Sequence, residues 1–242
     1  MTKRLAVGIE IGGTKLQAVI GDGHGAPVAS RRGDADPARG AAGILDWVEG
    51  AVAGLLDECA PGMRAGIAGL GIGFGGPVDS RTGEVLVSHQ VAGWEGVALK
   101  SWAEERFSLP TVVANDANAA GWAEYRGGAG ANGRGFWYMN IGSGIGGALV
   151  LDGRLHDGQG RGAGEIGHTW VPDWTSERAG AADKLENLCS GWSIEKRIRN
   201  WTLAAPDSPL ATLCNGDPHA LTCPMLARAA EQDDPQACAE IA

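Results

Sequence analysis

A chain of 242 residues has room for one large domain or two modest lobes that each bury a core. Its 40 glycines, at more than double the usual share of about 7%, follow no Gly-X-Y period and alternate with apolar runs, which excludes collagen and disorder. The net charge of -9, without a basic stripe, excludes a nucleic-acid backbone as partner, so an anionic ligand would rest on backbone amides and a divalent cation. In chain order, Leu5, Val7, Ile9 and Ile11 alternate with Ala6, Gly8 and Glu10. That pattern predicts a strand with small residues on its second face, as in a sheet covered on both sides. Gly12-Gly13-Thr14-Lys15 turns the chain, Leu16 to Ile20 resumes as a strand, and Asp22 to Gly25 turns again into a third strand over Val28 to Ser30. The opening unit reads as a β-meander.

Ile44, Val48, Val52, Leu55, Leu56 and Cys59 keep helical spacing, with Trp47 extending the apolar face. A strand over Ile67 to Gly73 ends in Phe74-Gly75-Gly76-Pro77-Val78-Asp79, and a helix over Trp102 to Phe107 precedes the β-branched run Thr111-Val112-Val113. A helical pattern opens at Asp116 and carries Ala119, Ala120, Trp122, Ala123 and Tyr125. The glycines of Gly127 to Gly133 mark the lobe boundary, giving residues 1–126 and 127–242. Phe136 to Ile141, the loop Gly142-Ser143-Gly144-Ile145-Gly146-Gly147 and Ala148 to Leu151 repeat the opening order of strand, glycine turn, strand. From Ser190 the chain is helical with polar loops, and its last helix ends at Ala242 without a glycine cap or basic last turn, as if cut inside an element.

Five cysteines without a C-x-x-C pair fit reduced thiols. Glu10 interrupts the first apolar stretch too early for a signal peptide, and no apolar run approaches a membrane span, so the expected location is the cytoplasm.

Asp116 stands at the mouth of the predicted sheet, flanked by Asn115 and Asn118. An Asp before an Ala-rich helix is an ordinary N-cap. Glycine loops suited to phosphate lie on both sides of it in sequence, however, and a base there would have something to act on. Gly71, Gly73, Gly76 and Gly142, Gly144, Gly147 each match G-x-G-x-x-G, but neither set opens a helix, as a dinucleotide site requires. Gly13-Thr14-Lys15 leads into a strand and so fails as a P-loop. What remains is phosphate held by the amides of hairpin turns, one turn per lobe, with Asp116 as the base of a phosphotransferase.

At these residues the sequence resembles the ROK family (repressor, open reading frame, kinase) of sugar kinases. Glu10-Ile11-Gly12-Gly13-Thr14-Lys15 is similar to its first phosphate motif, D-x-G-G-T-K, and Gly142 to Gly147 to its second. Asn115-Asp116-Ala117-Asn118 resembles its catalytic N-D-x-N, Glu165-Ile166-Gly167-His168 its E-x-G-H sugar motif, and Leu185-Glu186 with Ser190-Gly191 the segment of a further sugar-binding glutamate. The resemblance implies an α/β, actin-like ATPase (ribonuclease H-like) fold with two lobes around a cleft, and transfer of the ATP γ-phosphate to a hexose hydroxyl. Asp116 would accept the hydroxyl proton. Gly12, Gly13, Thr14, Lys15, Gly142, Ser143 and Gly144 would hold ATP, Glu10 would help hold hydrated Mg²⁺, and Gly76, Asn115, Glu165, His168 and Glu186 would bind the sugar. Glucose is the first expectation, followed by fructose and N-acetylmannosamine, and the family implies a homodimer.

Three departures stand out. Glu10 replaces the family's Asp. The stretch from Pro172 to Lys184 has no cysteine where a C-x-C-G-x-x-G-C zinc motif belongs, so no structural zinc is expected and Trp170 and Trp174 are expected to pack the loop. The family's C-terminal adenine-binding segment is missing before Ala242. The rival expectation is a non-catalytic, sugar-sensing regulator. The family's repressors carry an N-terminal helix-turn-helix, whereas here the first strand begins almost at Met1. A hydride-transfer enzyme is a third, weaker reading.

Overall fold

The N-terminal meander forms one side of a five-stranded sheet. The computed structural model describes residues 4–22, 25–88, 90–131, 133–158, 164–204 and 208–241; Gly23 and His24 of the second predicted turn lie outside them. Strands β1 (Leu5–Ile11), β2 (Lys15–Asp22) and β3 (Pro27–Asp34) pair antiparallel. Helices α1 (Gly40–Glu58) and α2 (Pro61–Arg64) lead to β4 (Ile67–Phe74), and the two-residue strands β5 (Val78–Asp79) and β6 (Glu84–Val85) pair beyond it. Helix α3 (Leu99–Phe107), strand β7 (Thr111–Asn115) and helix α4 (Asp116–Gly127) follow. The sheet order is β3-β2-β1-β4-β7, with β4 parallel to both β1 and β7.

Alternation in β1 sends Leu5, Val7, Ile9 and Ile11 into the core, where α1 meets them with Ile44, Val48, Val52 and Leu55 at helical spacing. Each such fully buried side chain contributes about 1.5–3 kcal/mol. Trp47 packs against this core across Gly33, where a Cβ would lie 2.3 Å from the indole Nε1. Among the described residues, the second face of the sheet is covered toward the C-terminal ends of the parallel strands β4 and β7, where Gly73 approaches Ala119 of α4. Toward the other end, Ala6 is exposed and Val112 is 71% exposed. The expectation of a sheet covered on both sides is corrected there: α4 starts at the tip of β7 and extends over one end only.

Strands β8 (Gly135–Ile141), β9 (Ile145–Leu151) and β10 (Arg154–Leu155) form a three-stranded sheet in the order β10-β9-β8. After a 3-10 turn at Ile166–His168, β11 (Trp170–Pro172) pairs antiparallel with β12 (Ala182–Lys184). Helices α5 (Leu185–Cys189), α6 (Gly191–Ala204), α7 (Pro209–Leu213), α8 (Cys223–Ala230) and α9 (Pro235–Ile241) complete the chain. Ile198, Leu210, Leu221, Leu226 and Ala237 form their core, and Arg197 donates to Glu240 across it at 3.0 Å.

By packing, the chain forms two compact units, Met1–Tyr138 with Gly147–Gly164, and Met139–Gly146 with Glu165–Ala242. It passes from one to the other three times: within β8 after Tyr138, at the start of β9 after Gly146, and after Gly164. The two tryptophans expected to pack the Pro172–Lys184 segment do not: Trp170 is 66% and Trp174 63% exposed. Backbone pairing of Trp170 with Lys184 and of Pro172 with Ala182 holds the segment instead.

Candidate active site

In the first unit, register brings three predicted positions to one end of the sheet. Glu10 pairs with Gly73, and Gly73 with Ala114, so Glu10 and the β7–α4 junction flank the end of β4. Two strand spacings separate them, about 10 Å. Asn115 follows as the partner of Phe74. Gly75 donates to the Ile11 carbonyl at 2.8 Å, which holds the Gly75-Gly76 turn against the end of β1. Gly76 leaves no space for a side chain: a Cβ would lie 3.0 Å from both the Val87 carbonyl oxygen and the Phe74 ring.

The helix cap is Asn115, not Asp116. The Asn115 Oδ1 accepts from the Asn118 amide at 3.1 Å, and its Nδ2 donates to the Gly76 carbonyl at 3.3 Å. Capping is therefore done by the amide, and the carboxylate beside it is left for other work. Asp116 is half-buried, with Oδ1 accepting from the Ala117 amide at 2.8 Å and Oδ2 facing Gly75, 3.6 Å from where that residue's Cβ would stand. Burial pushes its carboxyl above the ordinary value of 3.8, against the opposing effect of the Ala117 and Asp116 amides and the Asn115 side chain. We expect Asn115→Ala to lower the thermal midpoint by a few degrees, from a cap worth about 1 kcal/mol, and Asn115→Asp to recover most of it, as a melting curve will show.

Asn118, to which the sequence reading gave no role, is buried, and its side-chain Oδ1 has no partner among the described residues. Gln90 was not signalled either: a Cβ on Gly13 would overlap its side chain. No local pattern marks Gln90, because 77 residues separate it from Gly13 and only the fold brings them together.

Both glycine turns leave adjacent amides open. In the first, Gly12 donates to the Lys15 carbonyl at 3.0 Å and the Thr14 carbonyl accepts from Ala35 at 2.9 Å. Among the described residues, the amides of Gly13 and Thr14 donate to no protein group, and Lys15 is exposed without an ion pair. In the second unit, Gly142 donates to the Gly144 carbonyl at 2.9 Å. The carbonyls of Gly142 and Ser143 accept from the first amides of α6, Gly191 at 2.9 Å and Trp192 at 3.2 Å. The amides of Ser143 and Gly144 are open among the described residues.

The same unit holds Glu165, His168 and Glu186. Glu165 and His168 are exposed at either end of the 3-10 turn, and Gly167 between them is buried, with space for a Cβ only 2.3 Å from the Ile145 carbonyl oxygen. Glu186 opens α5 and its Oε2 accepts from the Ile145 amide at 2.9 Å. Asp183 steadies that helix start: its Oδ1 accepts from the Lys184 amide and from Asn187 Nδ2, both at 2.7 Å, and these bonds hold its carboxyl below the ordinary range.

Taken within its own unit, each turn suits a phosphate group, and the first unit adds a carboxylate suited to a hydrated divalent cation. Paired open amides in glycine turns are anion acceptors. The exposed Glu10 carboxylate makes no hydrogen bond or ion pair among the described residues, which suits Mg²⁺ that retains most of its waters. Among the described residues no group of three or more His, Cys, Asp or Glu is placed to hold a metal by protein donors alone. Nor is any helix there long and apolar enough to cross a membrane.

Comparison with known proteins accords with this geometry. The chain is 32% identical over 216 residues to a glucokinase of Streptomyces coelicolor, covering 88% of this chain and 65% of that protein's length, just under two thirds. It superposes on a ROK family glucokinase from Streptomyces griseus, solved with glucose and AMPPNP, with a TM-score of 0.79 and 31% identity, covering 98% of this chain and 74% of that one. It is also 32% identical over 128 residues to a xylose repressor of Caldicellulosiruptor bescii, covering 53% of this chain and 31% of that protein. Such likeness, with the sheet order described above, gives it the α/β, actin-like ATPase fold. The ROK family model matches residues 6–241, and the chain belongs to the ROK family.

Proposed function

We propose that the protein transfers the γ-phosphoryl group of ATP to a hydroxyl of a hexose, glucose first, with Asp116 as general base. One observation carries the assignment: Asn115 caps α4, so Asp116 keeps a half-buried carboxylate with a raised pKa at the C-terminal end of a parallel strand, where open α/β sheets place their ligands. The Streptomyces glucokinases at 31% and 32% identity support this reading.

Bound Mg-ATP supplies the phosphoryl group. Asp116 takes the proton of the sugar hydroxyl, whose oxygen forms the new bond to phosphorus as the bond to the ADP oxygen breaks. The amides of Gly13, Thr14, Ser143 and Gly144, with Lys15, receive phosphate oxygens whose charge rises during transfer. Glu10 would help hold a hydrated Mg²⁺, which when bound would offset charge on the phosphates. Asn115, with one Nδ2 hydrogen remaining after its bond to Gly76, donates to the sugar, and Glu165, His168 and Glu186 pair with sugar hydroxyls. The Gly76 backbone approaches the same ligand.

The likeness to a xylose repressor supports a second reading, a sugar-binding regulator without turnover. A coupled assay for ADP release over glucose, fructose and N-acetylmannosamine separates the two. Kinase function predicts hexose-dependent ADP release, with one sugar preferred. Sugar binding with no ADP release above the sugar-free rate would leave the regulator.

A further inference from the structure

Glu186 lies where a phosphate-receiving loop should least tolerate it, because a carboxylate repels the anion that the neighbouring amides of Ser143 and Gly144 await. What it does in the fold is specific. Its Oε2 accepts from the Ile145 amide at 2.9 Å, the next backbone donor after those two open amides. The contact is close: a Cβ on Gly144 would lie 2.6 Å from the same oxygen, so an alanine there would push the Glu186 carboxylate off the Ile145 amide. Apart from the Gly142 amide, which donates to the Gly144 carbonyl within the loop, the other constraints act on carbonyls: α6 amides hold those of Gly142 and Ser143, and Gly167 fits beneath that of Ile145. Among the described residues, Glu186 is the one side chain that holds a loop amide.

We propose that Glu186 is a positioning residue for the polyphosphate loop, fixing Gly142–Ile145 through the Ile145 amide so that the Ser143 and Gly144 amides stand ready for an anion. The inference rests on the kinase reading and adds to Glu186 a duty separate from sugar contact. A hydrogen bond to an ionised acceptor is about twice as strong as a neutral one, and the loop has few other restraints on its N–H groups. Glutamine keeps the accepting oxygen and removes the charge, whereas alanine removes both.

The test measures AMPPNP binding by calorimetry without sugar, together with amide hydrogen exchange of the segment 142–147 in the unliganded protein, for the wild type, Glu186→Gln, Glu186→Ala, Gly144→Ala and the double Gly144→Ala/Glu186→Ala. We expect Glu186→Ala to weaken AMPPNP about tenfold and to speed exchange at Ile145 about tenfold or more. Glu186→Gln, which keeps the acceptor but not the charge, should bind AMPPNP more tightly than Glu186→Ala, with exchange at Ile145 between those of the wild type and Glu186→Ala. Gly144→Ala should reproduce the loss, and the double variant should lose no more than either single one, the non-additivity of two changes to one contact. Wild-type affinity and exchange in Glu186→Ala, or equal losses in Glu186→Ala and Glu186→Gln, would overturn the positioning role and leave the kinase reading standing. A wild-type protein that does not bind AMPPNP would overturn both.

Discussion

Asp116→Asn is expected to reduce turnover by about 10²- to 10⁴-fold, the usual contribution of a positioned general base, while sugar affinity changes little. Asparagine keeps the shape and an oxygen for the Ala117 amide but cannot take a proton. The wild-type pH profile should show the same group. Asp116 works when ionised, so kcat/KM should fall as pH drops through a pKa above the ordinary carboxylate value, in the direction that burial dictates. Stability runs the opposite way. A carboxyl whose folded pKa is raised binds more protons in the native state than in the unfolded one, so stability declines as pH rises through the window between the two values. At neutral pH the ionised group is a net cost to folding, and Asp116→Asn should melt at the same temperature as the wild type or higher. A melting point several degrees lower would mean that Asp116 is structural, and turnover within threefold of wild type would remove it from the mechanism.

The largest loss of stability is expected from Phe74→Ala. Phe74 closes β4, is 2% exposed and meets the buried Trp94 edge-on with ring centroids 4.9 Å apart. Truncating a buried Phe costs about 3–5 kcal/mol once the cavity is included, and the ring pair adds to the loss. For a chain of this size the thermal midpoint should fall on the order of 10 °C. Activity should fall as well, because the Phe74 ring packs against the Gly75-Gly76 turn, 3.0 Å from where a Gly76 Cβ would stand, and alanine removes that support. Phe74→Leu, which keeps most of the volume, should cost under about 1.5 kcal/mol. Equal melting points for the alanine and leucine variants would contradict this account, because they would show that filling the space beside Trp94 is not what stabilises the site.

The elements around the first glycine turn were legible because the signals are local. Period-two alternation marked β1, helical spacing marked α1, and a β-branched run into an Ala-rich segment marked β7 and α4. Choosing the cap was harder, since Asn115 and Asp116 are both good capping residues and only the backbone decides which oxygen reaches the Asn118 amide. Trp170 and Trp174 were read from their type, but Trp170 sits in the exposed ladder of β11 and β12 and Trp174 in the segment between those strands, and both face solvent. The contact of Glu186 with Ile145 spans 41 residues and leaves no trace in the pattern of either segment. The packing units rest on contacts that no local pattern carries: the β8–β9 hairpin places only its tip, Met139–Gly146, in the second.

Following the label of γ-³²P-ATP is the most direct trial of the central claim. With glucose and Mg²⁺ present, the label should pass to a hexose phosphate in amounts equal to the ADP formed, in the wild type and not in Asp116→Asn. Glucose bound with the label remaining in ATP, or equal transfer by the two proteins, would contradict it.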